Sequence, residues 1–263
     1  MKNLNSLYGA IGGDIIGSAF EYNNIKTTAF NLFSKTSEIT DDTLMTIATA
    51  EAILNGGDYK DYYLKWGHLY PKADYGESFN EWLKSSNPTP FNSWGNGSAM
   101  RVSPVGFAFD TESKVLSEAK KSAECTHNHP EGIKGAQATA LAIFYARSGK
   151  SKNFIKSEIE LWFGYNLSFK LAEIRPDYEY DVSCQGTVPP ALVAFLESKD
   201  YESAIRNAVS IGGDSDTIAA VTGPIALAFY KEMSEEIVLN IEKRLPEPVK
   251  KVCKNWGNSK SFL

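Results

Sequence analysis

Two short stretches carry the side chains best suited to chemistry: Thr40-Asp41-Asp42-Thr43 and Asp214-Ser215-Asp216-Thr217. Each sets two carboxylates and two hydroxyls within four residues, directly ahead of an apolar helical pattern. Oxygen-only donors in such number suit hard divalent cations such as Mg²⁺, Mn²⁺ or Ca²⁺, and do not suit Zn²⁺. The competing explanation is helix capping, because Asp and Thr are favoured N-caps and negative charge is stabilising at a helix N-terminus. One cap needs one side chain, so two such clusters exceed what capping requires. If their four carboxylates converge, mutual repulsion demands a compensating cation.

Three further segments hold reactive groups. Asp14 and Glu21 are seven residues apart in a Gly-rich stretch, which on one helix places them on the same face two turns apart. An acid on a buried, Gly-lined face is costly unless it meets a partner. The run from Gly95 through Asn96, Gly97, Ser98, Ala99 and Met100 to Arg101 is a small-residue loop with one cation. Such a loop can turn backbone N–H groups toward a phosphate, although Gly-Asn-Gly is also an ordinary turn. Thr126-His127-Asn128-His129-Pro130-Glu131 contains two of the three histidines. A zinc site on His127, His129 and Glu131 has no further Cys or His at a usual spacing. A loop histidine donating to a ligand phosphate is the better functional reading, against that of an exposed loop side chain.

The elements that must position these groups are helical. Gly9, Gly13 and Gly17 recur every fourth residue within a helix expected over 7–21, leaving one stripe bare so that another helix can approach closely. Helices are expected over 43–54, stopped by Gly56-Gly57, over 132–147, over 217–230, and from a first turn at Pro189-Pro190 to about Ser198. Residues 58–95 are rich in aromatics, partly helical, and break at Asn87-Pro88-Thr89-Pro90. Residues 151–183 are weakly patterned, and the tail with Pro246 and Pro248 carries no strong signal. No linker divides the chain, so one all-α domain over 1–263 is expected.

At 43 % hydrophobic and 22 % charged, the 263 residues have an ordinary globular composition. A net charge of −5 argues against a protein that holds nucleic acid through its overall field. Cys125, Cys184 and Cys253 are odd in number and widely spaced, which fits reduced thiols in the cytoplasm. No signal peptide and no transmembrane run is evident, so no membrane partner is expected.

Taken in order, GAIGGDIIGSAFE at 9–21, TDDT at 40–43, GNGSAMRVSP at 95–104, THNHPEGIKGAQATA at 126–140 and GGDSDTIAAVTGPIA at 212–226 resemble the ADP-ribosylglycohydrolase family. That family includes dinitrogenase-reductase-activating glycohydrolase and the animal ADP-ribosylhydrolases. Any one match could be accidental; the ordered set spans most of the chain. The resemblance implies a compact orthogonal all-α fold with a binuclear Mg²⁺ or Mn²⁺ centre at the bottom of a cleft. It implies that Thr40, Asp41 and Asp42 supply one half of the metal site and Asp214, Asp216 and Thr217 the other. Glu21 aligns with a glutamate that some members place near the scissile bond. Ser98 with the neighbouring backbone of Gly97 and Ala99, together with His127, aligns with groups that contact the diphosphate. Residues 151–183 depart from the animal members, which bears on substrate choice.

The activity so implied is cleavage of the bond between ADP-ribose and a modified acceptor, through a transition state resembling an oxocarbenium ion. Paired metals can clamp adjacent oxygens and polarise a water. Glu21 and Asp42 are the candidates for proton transfer, and the sequence does not decide between them. The expected partner is an ADP-ribosylated substrate, and a monomer is the expected state. The alternatives are a non-catalytic ADP-ribose-binding or structural, crystallin-like member, and a metal-dependent phosphatase using the same ions.

Overall fold

A computed structural model describes residues 4–259. In chain order its helices are α1 Tyr8–Ser18, α2 Asp41–Asn55, α3 Tyr59–Leu69, α4 Glu77–Lys84, α5 Gly97–Met100, α6 Ser103–Ala108, α7 Glu112–Glu124 and α8 Pro130–Arg147. They continue with α9 Lys152–Phe163, α10 Leu171–Ile174, α11 Cys184–Leu196, α12 Tyr201–Val209, α13 Ser215–Tyr230, α14 Glu235–Arg244 and α15 Glu247–Ser259. The described residues contain no strand; the extended pairing among them is a single bridge between Gly95 and Ser183. The fold is all-α, as expected.

The innermost helix is α13, buried from Ser215 through Ala228. Helix α1 lies directly against it, and the glycine stripe is the reason. A methyl group on Gly13 would sit 2.1 Å from the Ala219 carbonyl oxygen, and one on Gly17 would sit 2.4 Å from the Asp216 Cα. Backbone therefore touches backbone, and the Asp14 side chain is brought beside the first turn of α13. Around this pair one hydrophobic cluster runs from Leu7 to Trp256, drawing on α2, α8, α11 and α12.

Three expectations need correction. Helix α1 stops at Ser18, so Glu21 does not continue the helical face of Asp14. The Ser18 hydroxyl turns back to the Ile15 carbonyl (3.0 Å) and accepts from Glu38 N (3.1 Å), while Phe20 leaves to stack edge-on against Phe30. Helix α11 begins at Cys184, with Ser183 as its N-cap accepting from Gly186 N, and Pro189-Pro190 lie inside it. Pro190 lacks the N–H that would serve the Gly186 carbonyl, and Tyr178 Oη donates to that oxygen instead (3.0 Å). The tail forms α14 and α15: Ile237 and Ile241 face inward, as do Val249, Val252, Cys253 and Trp256. That is a helical period, and Pro248 falls in the first turn of α15, where a missing N–H costs nothing.

The α1–α13 contact predicts a severe effect at Gly13. Gly13→Ala must separate two backbones and should cost roughly 2 kcal/mol or more in denaturant unfolding, an overpacking penalty. Gly257→Ala, whose methyl meets only the Asn5 side chain at 3.6 Å within α15, should leave stability equal or slightly higher. Equal tolerance of both substitutions would show that the close approach is not required.

Candidate metal centre and cleft

The N-termini of α2 and α13 meet at the floor of one cleft of about 590 Å³, within the usual range of small-molecule sites. Two groups of carboxylates each converge to within 4.8 Å: Asp14, Asp42 and Asp216, and Glu21, Asp214 and Asp216. Asp216 belongs to both. Asp41 lines the same cleft and stands outside both groups.

Within the first group the acids divide by their bonds. Asp14 is fully buried and accepts from Thr40 N (3.0 Å), Thr40 Oγ1 (2.8 Å), Thr43 N (3.1 Å) and the Thr43 hydroxyl. It thus satisfies the start of α2 from a different helix, with both of its oxygens engaged. Thr40 itself is the N-cap of α2, its hydroxyl accepting from Asp42 N at 3.2 Å. Asp42 accepts from Thr217 Oγ1 (3.1 Å) on Oδ2, while its Oδ1 is buried and has no hydrogen-bond partner. A buried carboxylate oxygen left without a donor calls for a cation. The surrounding donors are carboxylates and hydroxyls, so the residues fit a hard divalent ion.

The second group is held differently. Asp214 is the N-cap residue of α13, yet its side chain makes no capping bond; Asn96 Nδ2 donates to its Oδ2 at 2.7 Å and also reaches Thr187 Oγ1 at 3.0 Å. Gly212 and Gly213 precede it with φ of 77° and 68°, left-handed backbone that favours glycine. Asp216 Oδ1 accepts from Thr217 N at 2.9 Å. Glu21 is half-buried on the segment after α1, and its Oε1 accepts from Tyr180 Oη at 3.1 Å.

Burial and crowding disfavour ionisation here. Burial outweighs four hydrogen bonds to push Asp14 from 3.8 up to about 6. Burial, then the Asp14 charge, raises Asp41 and Asp42 well above the ordinary range, and burial with Asp42 and Asp214 does the same to Asp216. Glu21 is raised by burial and by Asp214. The cation among the described cleft residues is Arg101, which is buried, lies 4.0 Å over the Tyr63 ring, and donates to Ser122 O and Thr126 Oγ1 (2.9 and 2.7 Å).

The diphosphate candidates separate. Gly97 and His127 line the cleft, and Ser98 and Ala99 do not. The Ser98 hydroxyl is fully buried and donates to the Gly132 carbonyl at 2.6 Å, so it braces the loop from behind. Thr126 Oγ1, already accepting from Arg101, lies 2.7 Å from His127 Nδ1. Burial and Arg101 hold the imidazole well below its usual pKa, which favours the neutral ring, and its Nε2 faces the Gly97 backbone. That Nε2 is the atom a methyl on Gly97 would meet at 3.0 Å. His129 instead caps α8, accepting from Glu131 N, and Glu131 pairs with Lys134, which leaves no zinc triad. The mouth is aromatic, with Tyr22, Trp94 and Tyr180 about half exposed or more.

Asp14 and Asn96 are the contributors that pattern reading left out of the site. Asp14 was legible as an inward acid lacking a known partner, and Asn96 as the polar residue between two glycines.

Oxygen donors converging on one cleft of an all-α body make this an enzyme-type site. The chain belongs to the ADP-ribosylglycohydrolase family, whose model matches residues 2–245. It is 26 % identical to the human ADP-ribosylhydrolase ARH3, over 85 % of this chain and 84 % of that one. It is 22 % identical to the ADP-ribosylarginine hydrolase Tri1 of Serratia proteamaculans, over 87 % and 71 %. A solved chain described as an ADP-ribosylglycohydrolase-related protein complex has the same fold, with a TM-score of 0.72 at 24 % identity over 98 % of this chain and 97 % of that one. Among the described residues no helix is long and apolar enough to cross a membrane.

The raised carboxylates set a pH dependence whose sign is fixed. An Asp with a higher pKa folded than unfolded holds its proton more tightly in the folded state, so stability is lost as pH rises through the folded value. For Asp14 the window runs from 3.8 to about 6, and Asp41, Asp42 and Asp216 extend it upward. In EDTA the melting temperature should therefore be higher at about pH 5 than at about pH 7.5, and excess Mg²⁺ should shrink or reverse that difference. A melting temperature that rises with pH in EDTA would contradict the crowding of ionised acids.

Proposed function

We propose that this chain hydrolyses the glycosidic bond between ADP-ribose and a modified acceptor, using two divalent ions, Mg²⁺ or Mn²⁺. The observation that carries this is the unpartnered buried Oδ1 of Asp42 among carboxylates converging beneath an aromatic-rimmed cleft. Thr40, Asp41, Asp42, Asp214, Asp216 and Thr217 are the residues to hold the ions; when bound, these supply charge stabilisation to hydroxyl oxygens and lower the pKa of a water. Asp14, with both oxygens already accepting, holds the Thr40–Thr43 turn in register.

Glu21 is the better placed of the two proton-transfer candidates. Asp42 is deeply buried and bound by Thr217, whereas Glu21 is half-buried at the cleft wall, and burial with the Asp214 charge raises its pKa, which favours proton exchange. It would take a proton from the attacking water or give one to the leaving group. The His127 Nε2 edge and the backbone at Gly97 offer polar contacts to the diphosphate, and Trp94, Tyr22 and Tyr180 offer faces on which a base can stack.

With Mg²⁺ and a panel of defined ADP-ribosyl conjugates, the expected product is free ADP-ribose from at least one, and EDTA should abolish its release. Release of phosphate would identify a phosphatase instead, and ADP-ribose binding without turnover a non-catalytic member. Full activity after chelation would remove the metal centre from the mechanism. Glu21→Gln should slow single-turnover cleavage by roughly 10²–10⁴-fold while ADP-ribose affinity, measured by calorimetry, changes little. A near-wild-type rate would transfer the proton role to a cluster carboxylate.

A further inference from the structure

Glu21 lies outside any helix, so something other than helix geometry must fix its distance to Asp214 and Asp216. Its segment, residues 19–40, joins α1 to α2 without regular structure. Three residues beyond Glu21, the exposed Asn24 sets its side-chain amide against four backbone atoms, with one Nδ2 N–H shared between two carbonyls. Nδ2 donates to Phe20 O (2.8 Å), to Glu21 O (2.8 Å) and to Gly213 O (3.0 Å), and Oδ1 accepts from Gly213 N at 2.6 Å. One amide therefore grips the backbone carbonyl of Glu21 on one side and both polar atoms of Gly213 on the other. Gly213 is the residue immediately before Asp214.

A second tie runs parallel to the first. Lys26 Nζ donates to Ile211 O (2.7 Å) and Tyr178 O (2.6 Å), so the same segment is fastened to the same turn at two points. The left-handed backbone of Gly212 leaves room for both, since a methyl there would meet Lys26 Nζ at 2.9 Å and Asn24 Oδ1 at 3.1 Å. Asn24 itself does not line the cleft, so it has no direct route to substrate.

We propose that Asn24 is a positioning residue, which ties the Glu21 backbone to the Gly213 turn and thereby fixes Glu21 against Asp214 and Asp216. This rests on the glycohydrolase reading above. Displacing a reacting group by about 1 Å can cost on the order of 10²-fold in rate without weakening substrate binding. The effect of Asn24 on the rate runs mainly through Glu21, so its removal should cost far less once Glu21 cannot transfer a proton.

The test is a double-mutant cycle read alongside amide exchange. Asn24→Ala should lower kcat about 10- to 100-fold and leave KM within about threefold. In the Glu21→Gln background the same substitution should change kcat by less than about threefold, because coupled residues are not additive. By NMR, the Gly213 amide should exchange faster in Asn24→Ala, with amides of α13 beyond its first turn unchanged. If Asn24→Ala does not fold, Asn24→Asp replaces it, since it keeps the acceptor for Gly213 N and loses the amide donors to the Phe20, Glu21 and Gly213 carbonyls. Equal losses in both backgrounds, a loss confined to KM, or unchanged Gly213 exchange would each overturn the proposal. Wild-type protein that releases no ADP-ribose would overturn the glycohydrolase reading and this proposal with it; active wild type with additive losses overturns this proposal alone.

Discussion

Backbone-to-backbone contact between α1 and α13 is the constraint on which the rest of the site depends. Ordinary helix pairs are held 8–10 Å apart by their side chains. Here glycine at 13 and 17 removes that spacer, with Gly17 set against Asp216 itself. The consequence is chemical as well as geometric. Asp14, one residue after Gly13, reaches past α13 to the start of α2 and satisfies the N–H groups of Thr40 and Thr43. A helix start needs such acceptors, and here they come from across the core. The three elements that supply the acids are thereby locked together, and the locking group is itself an acid.

That arrangement places several carboxylates where water cannot screen them. Every one whose pKa shift is resolved in the cluster moves upward, and burial is the leading cause each time. Two helix N-termini facing the cleft offset part of this cost, because the partial positive charge at each favours nearby anions. Arg101 does not neutralise the cluster: its guanidinium is committed to Tyr63, Ser122 and Thr126. Stability is thus given up locally at a cluster that could hold a cation, and a ligand that binds only the folded state returns roughly 2.7 kcal/mol at a hundredfold excess over Kd.

Much of this was legible before any coordinates. The period of four in Gly9, Gly13 and Gly17 announced a close helix contact, although it could not say which helix would fill it. Both acidic clusters were readable as more than caps, and Asp214 indeed leaves its helix uncapped by its side chain. What escaped were the facts that depend on where chains meet. Asp14 looked like a costly buried acid because its partners lie 26 and 29 residues away. Asn96 looked like part of a turn because Asp214 lies 118 residues away. The C-terminal helices were hidden by Pro246 and Pro248, which act as breakers inside a helix and are harmless at its start.

The misplacement of Glu21 has a physical lesson of its own. Seven-residue spacing put it on the face of Asp14, and a continuous helix would have carried it there rigidly. The chain instead ends the helix at Ser18, and Glu21 is held by hydrogen bonds that include Tyr180 on its carboxylate and Asn24 on its backbone. A helical residue is fixed by its helix and the core beneath it, whereas Glu21 depends on a few hydrogen bonds that tie its segment to residues far along the chain. The residues proposed to hold the ions sit at the first turns of α2 and α13 or at the cap residues just before them, where helix geometry fixes them. Under the proposed mechanism Glu21 serves both an incoming water and a departing acceptor, and its half-buried position at the cleft wall gives it access to each. On that proposal, the division between rigid helix starts and a latched segment follows the division of chemical labour within the one cleft.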